Sequence, residues 1–262
     1  MSSFNILVSC MHEKSNDIIK KANIESNAVI INQCDEDSRS IINLKDSTIS
    51  WINSTERGLS RSRNMAIKNS NADICLLADN DEVFDDDIED KILMAYDELP
   101  DADIIIFRLH NKTTKLKNKI YKPWRMEMQR ICSLQISFKR SSIVNNKLKF
   151  DVKLGAGTGN GAGEENKFLV DCYDAGLKIY HYPLYIANIV ESESTWFNGY
   201  NEKFFYNHGM VTRYTWGLMI SVLYAFYYSV VKYKMYKNDI SFYKVFKAIS
   251  YGIFDNKLSK RL

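Results

Sequence analysis

Apolar positions in the first 110 residues fall into short unbroken runs. Residues 5–10 (NILVSC), 28–33 (AVIINQ), 72–78 (ADICLLA) and 102–109 (ADIIIFRL) read as strands buried on both faces, and 48–53 (TISWIN) alternates as a further strand. Helix-length polar stretches lie between them. Residues 59–69 read as a helix, as do 86–99, which Pro100 stops. The resulting order, β-α-β-β-α-β-α-β, predicts an α/β sheet flanked by helices.

The pattern then changes. A strand is expected near 134–139 and a turn or short helix at 141–144. Next comes GAGTGNGAG (155–163), which holds five of the chain's eleven glycines. It is expected to be a mobile loop, because glycine loses the most entropy on ordering and no apolar side chain here offsets that. A helix over 163–176 and a strand over 178–182, ended by Pro183, follow. From about Ser194 the chain reads as helical. The expected division is a catalytic domain over 1–195, with halves at about 1–110 and 111–195, and a helical appendage over 196–262.

Composition narrows the class. The 262 residues are 45% hydrophobic and 26% charged, with only three prolines, so an ordered globular chain is expected. Five scattered cysteines with no CxxC pair argue against a disulfide or zinc framework and fit a reducing cytosol. The N-terminal residues carry no signal-peptide pattern. The net charge of +3 is uneven: residues 210–262 hold nine Lys/Arg against Asp239 and Asp255, a net +7, which leaves −4 for the remainder.

Three local features carry chemistry. Asp79-Asn80-Asp81 follows the run ICLLA, at the edge where open α/β sheets bind ligands. Two carboxylates at i and i+2 suit a hard cation such as Mg²⁺ or Mn²⁺; the alternative is a solvated acidic turn. An EF-hand loop is excluded by Val83 and Phe84 at positions that need an oxygen ligand and glycine. In the second feature, Gly58 and Ser60 start a helix that places Arg61 and Arg63 in its first turn. Cations there oppose the helix dipole unless an anion lies between them; the alternative is two surface arginines. Third, Gly163-Glu164-Glu165 sets carboxylates at a helix start beside the glycine loop, where one could act as general base or serve only the helix dipole. His12, His110, His181 and His208 show no ligand spacing, although His181 or His208 could meet a diphosphate.

Taken in order, these segments resemble a known family. ERGLSRSRNMAIKNSNADICLLADNDEVF is similar to the nucleotide-sugar segment of family 2 glycosyltransferases with the GT-A fold, which carry G-x-S-x-x-R-N-x-x-I, a strand and D-x-D. GAGEENKFLVDCYDAGLKIYHYP resembles their later G-E-D helix and A-G-x-x-I-x-x-x-P, and ESTWFNGYNEKFF extends the likeness. The resemblance implies a Rossmann-like mixed sheet. It further implies Ser9 beside the nucleotide, Asp35 facing the base (uracil), Arg63 near the base or diphosphate, Asp79 on ribose or metal, Asp81 on metal, and Glu165 as catalytic base. Two positions depart from the family pattern: Glu165 stands where Asp is common, and Cys34-Asp35-Glu36-Asp37 replaces D-D-G-S.

The function implied is inverting transfer of a hexosyl or N-acetylhexosaminyl group from a UDP-linked donor to a glycan or lipid-linked acceptor, assisted by Mn²⁺ or Mg²⁺, in surface-polysaccharide assembly. A sugar nucleotidyltransferase is the first alternative, but it wants a glycine-rich basic loop after the first strand, and SCMHEKSND lacks glycine. A non-catalytic membrane-associated adaptor is the second. Nucleic-acid binding is not expected, because the positive charge sits in an apolar tail. In that tail, residues 216–231 carry no charge, ten of sixteen tyrosines lie beyond residue 199, and Lys232, Lys234 and Lys237 follow directly. Docking on an anionic membrane surface and burial against the catalytic domain both fit this pattern; for a full span, a helix of those 16 residues reaches ~24 Å, short of the ~30 Å hydrocarbon core. The first places the enzyme in the cytoplasm, peripheral to the inner face of the plasma membrane. Homo-oligomerisation is left open.

Overall fold

The computed structural model describes residues 2–14, 16–112, 116–160, 162–190, 199–255 and 257–260. The chain forms two compact units, one of residues 1–151 with 165–192 and one of residues 152–164 with 193–262.

The first unit is built on a nine-stranded mixed sheet. Its strands are β1 (Phe4–Met11), β2 (Ala28–Gln33), β3 (Ser38–Asn43), β4 (Thr48–Ser54), β5 (Ile74–Asp79), β6 (Glu82–Phe84), β7 (Ile104–Leu109), β8 (Ile136–Lys139) and β9 (Ile179–Ile189), in spatial order β3-β4-β2-β1-β5-β8-β7-β9-β6. The apolar runs become β1, β2, β5 and β7; the first three, with the alternating β4, are the central parallel strands, while β7 pairs antiparallel with β8 and parallel with β9. The helices are α1 (Asp17–Lys21), α2 (Leu59–Asn69), α3 (Ile88–Glu98), α4 (Arg140–Asn145) and α5 (Glu164–Asp174). Alternation along β1 sorts its side chains. Phe4, Ile6, Val8 and Cys10 join one buried cluster with Ile18 and Ile19 of α1 and Ile88 and Ile92 of α3. Ser9 points to the other face, where it meets Ser62 of α2.

Three expectations need correction. β3 was not foreseen: it is an exposed edge strand paired antiparallel with β4 and shows no apolar alternation. β6, three residues long, was also missed. The strand expected to end at Pro183 continues to Ile189. Its register against β7 shifts between Ile106/His181 and Arg108/Tyr185, and this irregularity accommodates the proline.

The second unit holds α6 (Glu202–Trp216), α7 (Leu218–Val231), α8 (Tyr233–Tyr236), α9 (Phe242–Asp255) and α10 (Lys257–Lys260). The helical reading at residues 194–198, with the start of the ESTWFNGYNEKFF resemblance, lies outside the described residues. α6 and α9 pack closely through glycines: a Cβ on Gly209 would lie 2.1 Å from the Ile249 carbonyl oxygen, and one on Gly252 would lie 2.0 Å from that of Tyr206. The glycine-rich segment belongs to this unit, with Leu154 buried beside Met210 and Leu258. Thr158 Oγ1 donates to the Gly155 carbonyl and the Asn160 amide to that of Lys153. No helix among the described residues is long and apolar enough to cross a membrane.

Candidate active site

Parallel register brings the carboxyl ends of β1, β2, β4 and β5 to one sheet edge and sets Ser9 directly beside Asp79. The edge is completed by the start of α2. Gly58 caps that helix with φ +118°, in the region that favours glycine, and its N–H donates to Gln33 Oε1 at the end of β2 (2.7 Å).

The two arginines expected to share an anion point apart, as residues i and i+2 on a helix must. Arg61 turns outward and pairs with Glu56 at 3.0 Å. Arg63 turns inward, with its side chain 2% exposed, and its Nη2 donates to both oxygens of Asp79 at 3.1 and 3.0 Å. The Arg63 guanidinium lies over the Phe150 ring, 5.4 Å from its centroid, and that ring stacks on Phe168. Asn64, next in sequence, bonds both the N–H and the carbonyl of Phe150. The R-N pair therefore holds Phe150 by its backbone and Asp79 by its carboxylate.

Asp79 also accepts the Ser133 hydroxyl at 3.3 Å. Its own N–H donates to Glu82 Oε1 at 2.9 Å, while Glu82 Oε2 is buried without a hydrogen-bond partner among the described residues. Burial pushes the Glu82 carboxyl well above the ordinary range, and the neighbouring Asp79 charge pushes it further.

The start of α5, where Glu165 sits, is tied to the 131–133 segment. α5 is anchored by Asn166, whose amide donates to the carbonyls of Met128 and Ile131 (2.9 and 3.0 Å). Two residues beyond Ile131, Ser133 bonds Asp79. The Cys132 thiol between them is pushed up by burial, lowered by Lys112, and raised again by the charges of Glu165 and Glu82. Glu164, the residue before Glu165, is buried and accepts the Gly163 N–H at 3.1 Å, with its carboxyl packed on Gly155.

Of the residues expected to hold the nucleotide, Asp35 lines an open cleft of about 600 Å³ together with Asn32, Glu36, Trp51 and Asn53. It accepts Arg57 Nη2 at 2.6 Å. Ser9 is 4% exposed and its hydroxyl accepts that of Ser62. The suggestion that His181 could meet a diphosphate is corrected: it is fully buried, with Nδ1 at the Ile106 carbonyl. His208 lies in the second unit, against the Tyr224 hydroxyl. Ser133, Asn166 and Phe150 carry no local sequence signal and enter the site by tertiary contact alone.

Among the described residues no three His, Cys, Asp or Glu side chains are grouped to hold a metal. The donors at the β5 edge are nonetheless all hard carboxylate oxygens, with the partnerless Glu82 oxygen beside them. That fits a divalent cation that takes its remaining ligands from phosphate and water.

The model of glycosyl transferase family 2 matches residues 24–158, just over half of the chain, and the chain belongs to that family. Among solved structures, S. aureus TarS residues 1–349 in complex with UDP is 11% identical with a TM-score of 0.61, covering 91% of this chain and 75% of that one. The same TarS piece with UDP-GlcNAc gives 13% and 0.56, covering 98% and 73%. The mannosyltransferase PcManGT from Pyrobaculum calidifontis, in complex with GDP-Man and Mn²⁺, gives 9% and 0.53, covering 99% and 88%. These likenesses establish the GT-A-like fold. No curated protein sequence matches the chain significantly.

Proposed function

We propose that the chain is an inverting glycosyltransferase. It moves a hexosyl or N-acetylhexosaminyl group from a UDP-linked donor to a hydroxyl of a glycan or lipid-linked acceptor, in surface-polysaccharide assembly at the inner face of the plasma membrane. One observation carries this reading: Asp79, fixed by buried Arg63 at the carboxyl end of β5, shares the 131–133 segment with the start of α5, where Glu165 sits.

Asp35 in the cleft would receive the base, and Asp79 the ribose. The Glu165 carboxylate takes the proton from the acceptor hydroxyl as its oxygen attacks the sugar C1 from the face opposite the diphosphate. The C1–oxygen bond to the diphosphate breaks, and the nucleoside diphosphate departs with the electron pair. A Mn²⁺ or Mg²⁺ ion held by Asp81, with Asp79, would neutralise charge on that leaving group. Arg63 keeps the Asp79 carboxylate oriented throughout. The mannosyltransferase neighbour's GDP-Man and Mn²⁺, and the UDP-GlcNAc of TarS, support a metal-assisted nucleotide-sugar reaction.

A screen of nucleotide sugars read by nucleoside-diphosphate release tests this. Glu165→Gln is expected to slow turnover by about 10²–10⁴ with donor affinity nearly unchanged. If Glu164→Gln shows that loss and Glu165→Gln does not, the base assignment is wrong by one residue.

A further inference from the structure

Helix α7 is built inside out. Its buried positions, spaced by four, are Ser221, Ala225 and Ser229. Tyr228 packs on the core of the unit, but most of its large apolar side chains point to solvent: Met219 is 82% exposed, Leu223 70% and Phe226 66%, with Val222, Tyr227, Val230 and Val231 also exposed. A helix that simply completes a water-soluble bundle turns its large residues inward and its small polar ones outward. Here the small face lets α7 pack within its unit, and Ser221 Oγ is satisfied by donating to the Gly217 and Leu218 carbonyls. The outward face is an unbroken apolar stripe of a kind soluble monomers rarely expose.

Charge and chemistry around the stripe identify its occupant. No acidic residue occurs between Leu218 and Tyr236, while Lys232, Lys234 and Lys237 follow the stripe; on α9 stand Lys247 and Lys244, the latter paired with Glu202 at 3.3 Å. Tyr227 and Tyr233, exposed on α7 and α8, and Tyr243 and Tyr251, exposed on α9, carry rings with one polar end. In a two-fold pair of such faces, lysines would repeat on both copies with no carboxylate on α7 or α8 to meet them. An anionic surface with an apolar interior answers both the lysines and the stripe. At ~1.5 Å per residue the fourteen residues of α7 extend about 21 Å, short of the ~30 Å hydrocarbon core, so the helix suits lying in the interface rather than crossing it.

We propose that the Met219–Leu223–Phe226 face of α7 inserts into the headgroup–acyl boundary of an anionic lipid leaflet, with the lysines after it in the headgroup layer. This rests on the second unit alone and stands whether or not the chain transfers sugar.

The test is sedimentation of the full chain with vesicles of phosphatidylcholine alone and of phosphatidylcholine mixed with phosphatidylglycerol. Binding to the mixed vesicles is expected, weakened but not abolished by salt. Leu223→Glu and Phe226→Glu, both at solvent-exposed positions, should each reduce binding roughly tenfold or more. Ile41→Glu, at an equally exposed position on β3, should leave it unchanged. Phe226→Trp should shift its emission to the blue on mixed vesicles and be quenched by acyl-brominated lipid. Absence of vesicle binding, or equal binding by the Glu variants, overturns the proposal. So does a concentration-dependent dimer that Phe226→Glu dissociates, which would assign the face to a second copy.

Discussion

Replacing Arg63 by methionine removes the guanidinium but keeps an unbranched stem over the Phe150 ring. The Arg63 side chain is 2% exposed and that of Asp79 25%. Without Nη2, the Asp79 carboxylate keeps the 3.3 Å Ser133 bond and sits beside the Glu82 carboxyl. Breaking a fully buried ion pair typically costs about 3–5 kcal/mol. A quarter-exposed carboxylate recovers part of its hydration, so about 2–4 kcal/mol is expected here. Asp79→Asn should also destabilise, because the buried guanidinium loses its counter-charge. The Arg63→Met/Asp79→Asn pair should cost less than the sum of the singles by about 1–3 kcal/mol. Because the chain has two units, one denaturation midpoint would mix two events. Native-state hydrogen exchange of β1 and β5 amides reports the first unit alone. If the two variants are additive within about 0.5 kcal/mol, the pair is not coupled and Asp79 is held by other means.

Two further predictions concern the second unit. Gly252→Ala gains about 1 kcal/mol of helix propensity but drives a Cβ to 2.0 Å from the Tyr206 carbonyl oxygen; backbone must shift, at a cost of about 1–3 kcal/mol or more. Exchange protection of α6 and α9 should fall, and unchanged protection would contradict the tight crossing. Burial lowers His208 from an ordinary 6.5 to about 4. The folded unit therefore keeps His208 neutral while the unfolded chain protonates it, so stability is full above pH 6.5 and is lost as pH falls from 6.5 to 4. At 1.36 kcal/mol per unit, the loss reaches about 3 kcal/mol. His208→Phe should flatten that slope in exchange measurements across the same range, and an equally steep slope in the variant would assign it to another group.

What could be read from sequence divides along physical lines. β1, β2, β5 and β7 announced themselves because a strand covered on both faces must be apolar throughout. β3 (SRSIIN) did not: at the sheet edge, with Ile41 70% exposed, only backbone pairing defines it. Pro183 read as a stop because a bulge that tolerates proline is a property of the partner strand's register. In the site, Asp79, Arg63 and Glu165 were visible as local motifs. That Arg63 grips Asp79 while Arg61 leaves it was not, nor was the role of Ser133 or Asn166, because those contacts join residues 16, 54 and 35 apart. The tail's composition suggested three placements. No helix among the described residues is long and apolar enough for the full span, and the burial pattern of α7, with serines inside and large side chains outside, is what the proposed docking rests on.

The most direct test of the nucleotide-diphosphate site proposed at the β5 edge is calorimetric titration of UDP-sugar into the chain, with Mn²⁺ and with EDTA, for wild type and Asp81→Ala. The expected result is Mn²⁺-dependent binding in wild type and its loss in Asp81→Ala, with hydrogen exchange in β1 and β5 unchanged. Undiminished binding by Asp81→Ala in EDTA would contradict it.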